Sequence, residues 1–257
     1  MNETELLFTK ALNCSRNSLY LREGVVLDRE KQLFISSVLK RRIKGEPIQY
    51  ILGETEFMGL LFKVTPDVLI PRPETEILVE TVLKYNPKKI LELGTGSGCI
   101  AVSLAKFIPA AEIVVLDISQ KALNVAEENA HLNNVSDKIS FLKSDLFTNY
   151  DLPITNYDLI VSNPPYIPSS EISGLAPEIQ FEPRVALDGG KDGFGFYRKI
   201  IKSAPLYLKK SGYLILEMGF GQSAEIRKFL QNSLNFEIIE VVKDYNNIDR
   251  VMVARNR

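Results

Sequence analysis

"LELGTGSGCIAVSLA", residues 91–105, decides the fold. It reads as an apolar strand, then Gly94, Gly96 and Gly98, then an apolar helix. Glycines at that junction let the backbone turn sharply and come close to a ligand at the helix N-terminus. The same alternation continues on both sides. Upstream, "PETEILVETVLKY" (73–85) is an amphipathic helix leading into the strand "KKILELG" (88–94). Downstream, "EIVVLDIS" (112–119) is a strand and "QKALNVAEENAHLNN" (120–134) a helix. "KISFLKSD" (138–145) and "YDLIVSNPP" (157–165) are strands, and "GFYRKIIKSAPLYLKK" (195–210) is a helix. "GYLILEMG" (212–219) is a strand and "QSAEIRKFLQN" (222–232) a helix. Strands alternating with helices imply right-handed crossovers and a mostly parallel sheet. The last two strands, "FEIIEVVKDY" and "IDRVMVARN", are joined too closely for a crossover, so one strand is reversed at the end.

The first residues differ in character. "TELLFTKALN" places Leu6, Leu7, Ala11 and Leu12 near one helical face, and "LDREKQLFISSVLKRRIKG" repeats the spacing with Leu27, Leu33, Phe34, Val38 and Leu39. Asp28 suits a helix start and Gly45 a stop. "TEFMGLLFKVTPDVLIPRP" reads as a β-hairpin around Met58-Gly59, followed by a linker punctuated by Pro66, Pro71 and Pro73.

Composition excludes several classes. The 257 residues carry a net charge of −1, so there is no bulk attraction to nucleic acid. The first 70 residues hold ten Lys/Arg and nine Asp/Glu, a net of +1, with little room for a base-reading domain. The two cysteines, Cys14 and Cys99, have no metal-type spacing and suit a reducing compartment. No run approaches the ~20 apolar residues of a membrane span, and the N-terminus has no signal-peptide pattern. A cytoplasmic protein with no membrane contact is expected.

Candidate site residues cluster at strand ends. Asp117 ends the strand after the glycine loop, where a carboxylate suits a ribose diol. Asp145 and Asn163 end the next two strands. Ligands of open α/β sheets bind at that rim. A tight turn alone explains the glycines but not Asp117. A nicotinamide cofactor calls for glycine or alanine where Cys99 stands. The G-x-G-x-G form, with Glu92 before it, resembles the first motif of the S-adenosylmethionine-dependent methyltransferases. The reversed last strand is similar to that family's seven-stranded, Rossmann-like sheet, over roughly residues 74–257. The resemblance implies that Gly94, Thr95, Gly96, Ser97, Gly98 and Asp117 bind S-adenosylmethionine, which leaves as S-adenosylhomocysteine, with no metal. It places Leu146 near the adenine, with Phe147 as the alternative.

"IVSNPPYIPSS" (160–170) then makes chemical sense. N-P-P-Y at the end of the fourth strand is the motif of amino-methyltransferases acting on planar nitrogens. By that resemblance Asn163 and Pro164 accept the two N–H groups of the target and Tyr166 stacks on it. Pro165 belongs to the same substrate platform, and Asn163 also touches the cofactor. The stretch at 45–80, with "GEPIQYILG" and "LIPRPETE", and "LDGGKDGFGFYRKII" (187–201) are similar to the protein-(glutamine) methyltransferases that modify peptide chain release factors. That resemblance implies a class-1 release factor as partner, methylated on the glutamine of its Gly-Gly-Gln tip. It implies three parts: a helical docking domain at 1–50, a hairpin and linker at 51–73, and the catalytic domain at 74–257. DNA is not expected as a partner, and a monomer is expected. The alternatives are methylation of an adenine or guanine of nucleic acid, or a nonenzymatic adenosine-binding module. The intact N-P-P-Y argues against the latter.

Other residues receive plainer readings. His131 is a helix-end surface residue, and Cys99 packs at a helix start. Lys40, Arg41 and Arg42 complement a helix dipole. Arg72 and Glu74 close the linker by a salt bridge. Glu92 orders the glycine loop or meets the methionine ammonium. Asp145 accepts from the adenine amino group or is a solvated loop residue.

Overall fold

The computed structural model describes residues 2–21, 26–148 and 157–257. The chain begins with α1 (Glu3–Leu12), α2 (Arg16–Leu21), α3 (Arg29–Arg42) and α4 (Ile48–Leu52). Asn2 and Glu5 form a reciprocal capping box at the start of α1. Asp28 caps α3 by accepting from the Lys31 N–H, and Gly45 takes φ +89° just beyond its end. The face that α3 buries is narrower than its apolar spacing suggests. Val38 packs with Leu7 and Ile48, while Leu33 and Leu39 lie exposed. Helices α2 and α4 are too short for a periodic signal, and neither stands out in the sequence.

Strands β1 (Glu54–Phe57) and β2 (Leu60–Lys63) pair antiparallel. Met58 and Gly59, at φ +52° and +72°, make the tight turn expected there. After the linker come α5 (Pro73–Leu83), β3 (Lys89–Leu93), α6 (Cys99–Phe107), β4 (Glu112–Asp117), α7 (Gln120–Leu132) and β5 (Ile139–Lys143). Then follow β6 (Tyr157–Ser162), the short α8 (Arg184–Leu187), α9 (Gly195–Ser203) and β7 (Leu208–Glu217). The chain closes with α10 (Ser223–Ser233), β8 (Phe236–Lys243) and β9 (Asp249–Asn256). The helix expected over 195–210 stops at Ser203. Pro205 cannot extend it, a 3-10 turn follows, and Leu208 already begins β7.

The sheet has seven strands in the order β5-β4-β3-β6-β7-β9-β8. Pairings from β5 to β7 are parallel, and β9 runs antiparallel to both its neighbours. The reversed strand is therefore the inner member of the last pair, and β8 forms the edge. Alternate residues serve opposite faces, as strand geometry requires. Ile90 packs with α5 and α6, whereas Leu91 and Leu93 pack with α9 and α10. Among the described residues no helix is long and apolar enough to cross a membrane.

Asn129 on α7 ties the hairpin to the glycine loop. It is wholly buried, accepts from the Lys63 N–H at 2.7 Å, and donates to the Lys63 and Ser97 carbonyls at 2.9 and 2.8 Å. Nothing local in "EENAHLNN" marks it for this role. Asn129→Ala leaves these backbone groups unpaired and is expected to cost about 3 kcal/mol, read as a lower urea midpoint at unchanged slope.

Candidate active site

Strand β3 ends against β4, and the glycine loop continues that edge, with the Gly94 and Thr95 N–H groups donating to the Leu116 carbonyl. Gly94, Gly96 and Gly98 take φ of +73°, +55° and +79°. Gly98 is also required by space, since a Cβ there would sit 2.9 Å from the Ala126 Cβ. Asp117 braces the loop. Its carboxylate accepts from the Gly96 and Ser119 N–H groups, each at 2.9 Å. Burial raises its pKa, and the backbone donors oppose the rise.

Strand β6 lies beside β3, with Ser162 opposite Leu93 and the Ser162 hydroxyl donating to the Leu93 carbonyl at 2.7 Å. The N-P-P-Y stretch thus leaves the sheet next to the glycine loop. Asn163 Nδ2 donates to Thr75 Oγ1 at 3.2 Å. Among the described residues no donor reaches Asn163 Oδ1 or the Pro164 carbonyl. The Tyr166 carbonyl accepts from Gln222 Nε2 at 3.0 Å. The 187–201 stretch packs beneath it: a Cβ on Gly193, at φ +77°, would stand 2.5 Å from the Tyr166 oxygen. That close approach is the physical reason for Gly193, and for Gly189, whose Cβ would stand 2.8 Å from the Tyr166 Cα.

A continuous cleft of about 230 Å³ joins these pieces, room for an organic molecule rather than an ion. It is lined by Gly94, Thr95, Gly96, Ser97, Asp117, Asp145, Leu146, Asn163, Pro164 and Pro165. The structure decides between two neighbours here. Leu146 lines the cleft, whereas Phe147 stacks on Tyr207 with ring centroids 4.7 Å apart. Gly98 and Tyr166 are not part of the lining. The Tyr166 ring lies against Gly219, where a Cβ would meet it at 2.9 Å. Asp145 is exposed at the cleft mouth.

Sequence reading missed Thr75, Pro183, Val185, Ala186, Phe196 and Lys199, all of which line the cleft. They come from segments without strand-end signals. Arg72 reaches across 110 residues to Glu182, at 2.5 Å, rather than to Glu74. The linker is indeed closed by a salt bridge, with a different acid. Arg41 and Arg42, read as dipole partners, also hold Glu46, and Glu3 with Glu178, respectively. His131 is exposed in the last turn of α7, and Cys99 is buried at the start of α6.

Glu92 is fully buried at the end of β3, and burial pushes its pKa up to about 8. Among the described residues neither of its oxygens has a hydrogen-bond partner, and the same holds for the Thr95 and Ser97 hydroxyls beside it. These are orphaned polar groups under the floor of the cleft.

The fold and this rim define a methyltransferase. A family model described as Methyltransferase small domain matches residues 73–179, and one described as PrmC N-terminal domain matches residues 1–53. A Thermodesulfovibrio yellowstonii protein named release factor glutamine methyltransferase is 44% identical, with 99% of this chain and 92% of that one aligned. A protein of the same name from Geobacter sulfurreducens is 43% identical over 98% of this chain and 88% of its own length. The catalytic domain of hMettl16, solved with the MAT2A 3′UTR hairpin 1, matches with a TM-score of 0.60 at 16% identity, over 89% of this chain and 81% of that one. The chain belongs to the release factor glutamine methyltransferase family.

Arg72→Ala strands the Glu182 carboxyl, which is almost wholly buried and already has a pKa raised by desolvation. The expected loss is about 2 kcal/mol at pH 8, moderated by the partial exposure of Arg72. A raised folded pKa means that the folded state binds the proton more readily, so stability falls as pH rises. The deficit against wild type should therefore shrink between pH 8 and pH 5, measured by thermal unfolding.

Proposed function

We propose that the chain transfers a methyl group from S-adenosylmethionine to the side-chain amide nitrogen of the glutamine in the Gly-Gly-Gln motif of class-1 release factors. The observation that carries this reading is the placement of Asn163 and Pro164, each with an uncommitted oxygen, in one cleft with the glycine loop and Asp117. Family membership supplies the acceptor.

The residues present fit S-adenosylmethionine. A Cβ at Gly94 or Gly96 would meet open space within 4 Å, so the loop backbone faces room for a ligand. Asp117 suits the ribose hydroxyls, Leu146 offers an apolar face for the adenine, and Thr95 and Ser97 complete the cradle with Gly98 behind them. When bound, this group supplies an electrophilic methyl on a sulfonium centre.

The chain's own part is geometric. An amide nitrogen is conjugated and weakly nucleophilic, and it is not usefully deprotonated near neutral pH. Asn163 Oδ1 and the Pro164 carbonyl each accept one N–H of the glutamine amide. Two acceptors outside the amide plane favour a pyramidal nitrogen and aim its lone pair. The prolines keep the platform stiff and remove competing N–H donors. Pro165 forms its outer part, and Tyr166 backs the platform from outside the cleft, its ring packed against Gly219. No general base is needed before the methyl is transferred; as the new N–C bond forms the methyl's bond to sulfur breaks, and the surplus proton on nitrogen then leaves to solvent. Residues 1–50 supply the docking surface, with Tyr20, Leu21 and Ile43 exposed there.

The direct test is methyl transfer from labelled S-adenosylmethionine to a purified class-1 release factor. Its Gln-to-Ala tip variant, DNA and RNA serve as parallel acceptors. Label on the wild-type factor alone is the expected result, and label on nucleic acid alone would overturn the substrate. Asn163→Ala should lower turnover more than about a hundredfold while S-adenosylmethionine affinity stays within about tenfold. Asp117→Ala should weaken cofactor binding by calorimetry, and unchanged affinity would refute its ribose role.

A further inference from the structure

A side-chain amide can present either its oxygen or its NH₂ to a site, and a half-turn exchanges them. Accepting a substrate N–H requires the oxygen forward. Behind Asn163 stand two side chains from other elements. Thr75, in the first turn of α5, is buried and accepts from Asn163 Nδ2. Glu217, the last residue of β7, is buried too. Thr75 and Asn163 lie close enough to its carboxyl group to act on it. Its Oε2 has no hydrogen-bond partner among the described residues. Arg250 lies near but is engaged by Asp244 at 2.9 Å. An incompletely paired carboxyl in the interior is costly, and an apolar residue would pack β7 equally well. Its chemistry therefore asks for a use.

A carboxylate only accepts hydrogen bonds. Turned toward that carboxylate, the Thr75 O–H would leave Thr75 Oγ1 as the acceptor that Asn163 Nδ2 uses. Every neighbour on that side then demands a donor. We propose that Glu217 and Thr75 are positioning residues that fix the polarity of the Asn163 amide, holding its NH₂ inward and its Oδ1 toward the cleft. The proposal rests on the reading of Asn163 as acceptor for the glutamine amide.

A protonated Glu217 would carry a donor of its own and would release the constraint. Burial pushes the Glu217 pKa up to about 7. The charged or titratable groups facing it are Arg250 on β9, Glu74 on α5, Tyr166 beyond β6, Tyr197 on α9 and Cys99 on α6. The two tyrosines, Cys99 and Arg250 all have raised pKa values and keep their protons at neutral pH.

The test is steady-state methylation of a purified class-1 release factor as a function of pH, with S-adenosylmethionine affinity measured alongside. Glu217→Gln keeps the shape but adds an NH₂ that can hold Asn163 Oδ1 inward. It should lower kcat about thirtyfold or more, with cofactor affinity within about threefold. Wild-type kcat should rise with pH through about 7, and that limb should vanish in Glu217→Gln. Thr75→Val should be slow and Thr75→Ser close to wild type, which decides the matter if Glu217→Gln fails to fold. Asn163→Ala combined with Glu217→Gln should be no slower than Asn163→Ala alone, because both act through one group. Additive losses, or wild-type kcat and pH profile in Glu217→Gln beside a slow Asn163→Ala, would overturn the positioning role and leave the site reading intact. A fully active Asn163→Ala would overturn the site reading itself.

Discussion

The pairing of β3 with β6 is the contact on which the rest depends. From it the sheet grows in both directions, to β4 and β5 on one side and to β7 on the other. Connections leaving in opposite directions open a crevice beyond the carboxyl ends of the two strands. Leu93 faces Ser162 across that pair, and the buried Ser162 hydroxyl locks the register. The glycine loop begins one residue after Leu93, and Asn163 follows Ser162 directly. The glycine loop and the N-P-P-Y stretch, far apart in the chain, are thereby set side by side.

Rigidity suits the proposed chemistry, in which a nitrogen that cannot be activated by losing a proton is activated by placement. The N-P-P-Y backbone is stiffened from within by its prolines and from below by Gly193 and Gln222. The segment carrying Pro183, Val185 and Ala186 into the cleft is strapped at two points, Arg72 to Glu182 and Arg42 to Glu178. The second strap also ties this segment to the N-terminal helices, since Arg42 holds Glu3 as well.

Fold and substrate are separable. The hMettl16 domain, solved with an RNA hairpin, shares the architecture at 16% identity. A sheet with a methyl-donor rim therefore leaves the acceptor open. What distinguishes this chain is its alignment over nearly its full length with relatives 43–44% identical to it, the helical N-terminal segment included.

Features written in short range were legible in the sequence. Strand–glycine–helix, Asp117 at a strand end, the Met58-Gly59 turn and N-P-P-Y each depend on neighbouring residues, because turn geometry and strand termination are local. The alternation of elements determined the layered sheet for the same reason. Only the tertiary structure decided which polar side chains meet. Thr75 reaches Asn163 across 88 residues, Arg72 reaches Glu182 across 110, and Asn129 reaches Lys63 across 66. Leu146 rather than Phe147 lines the cleft, Tyr166 lies against Gly219 outside it, and β9 sits inside β8. Strand order and packing bring those partners together, and hydrophobic periodicity carries no information about which distant segment a side chain will face.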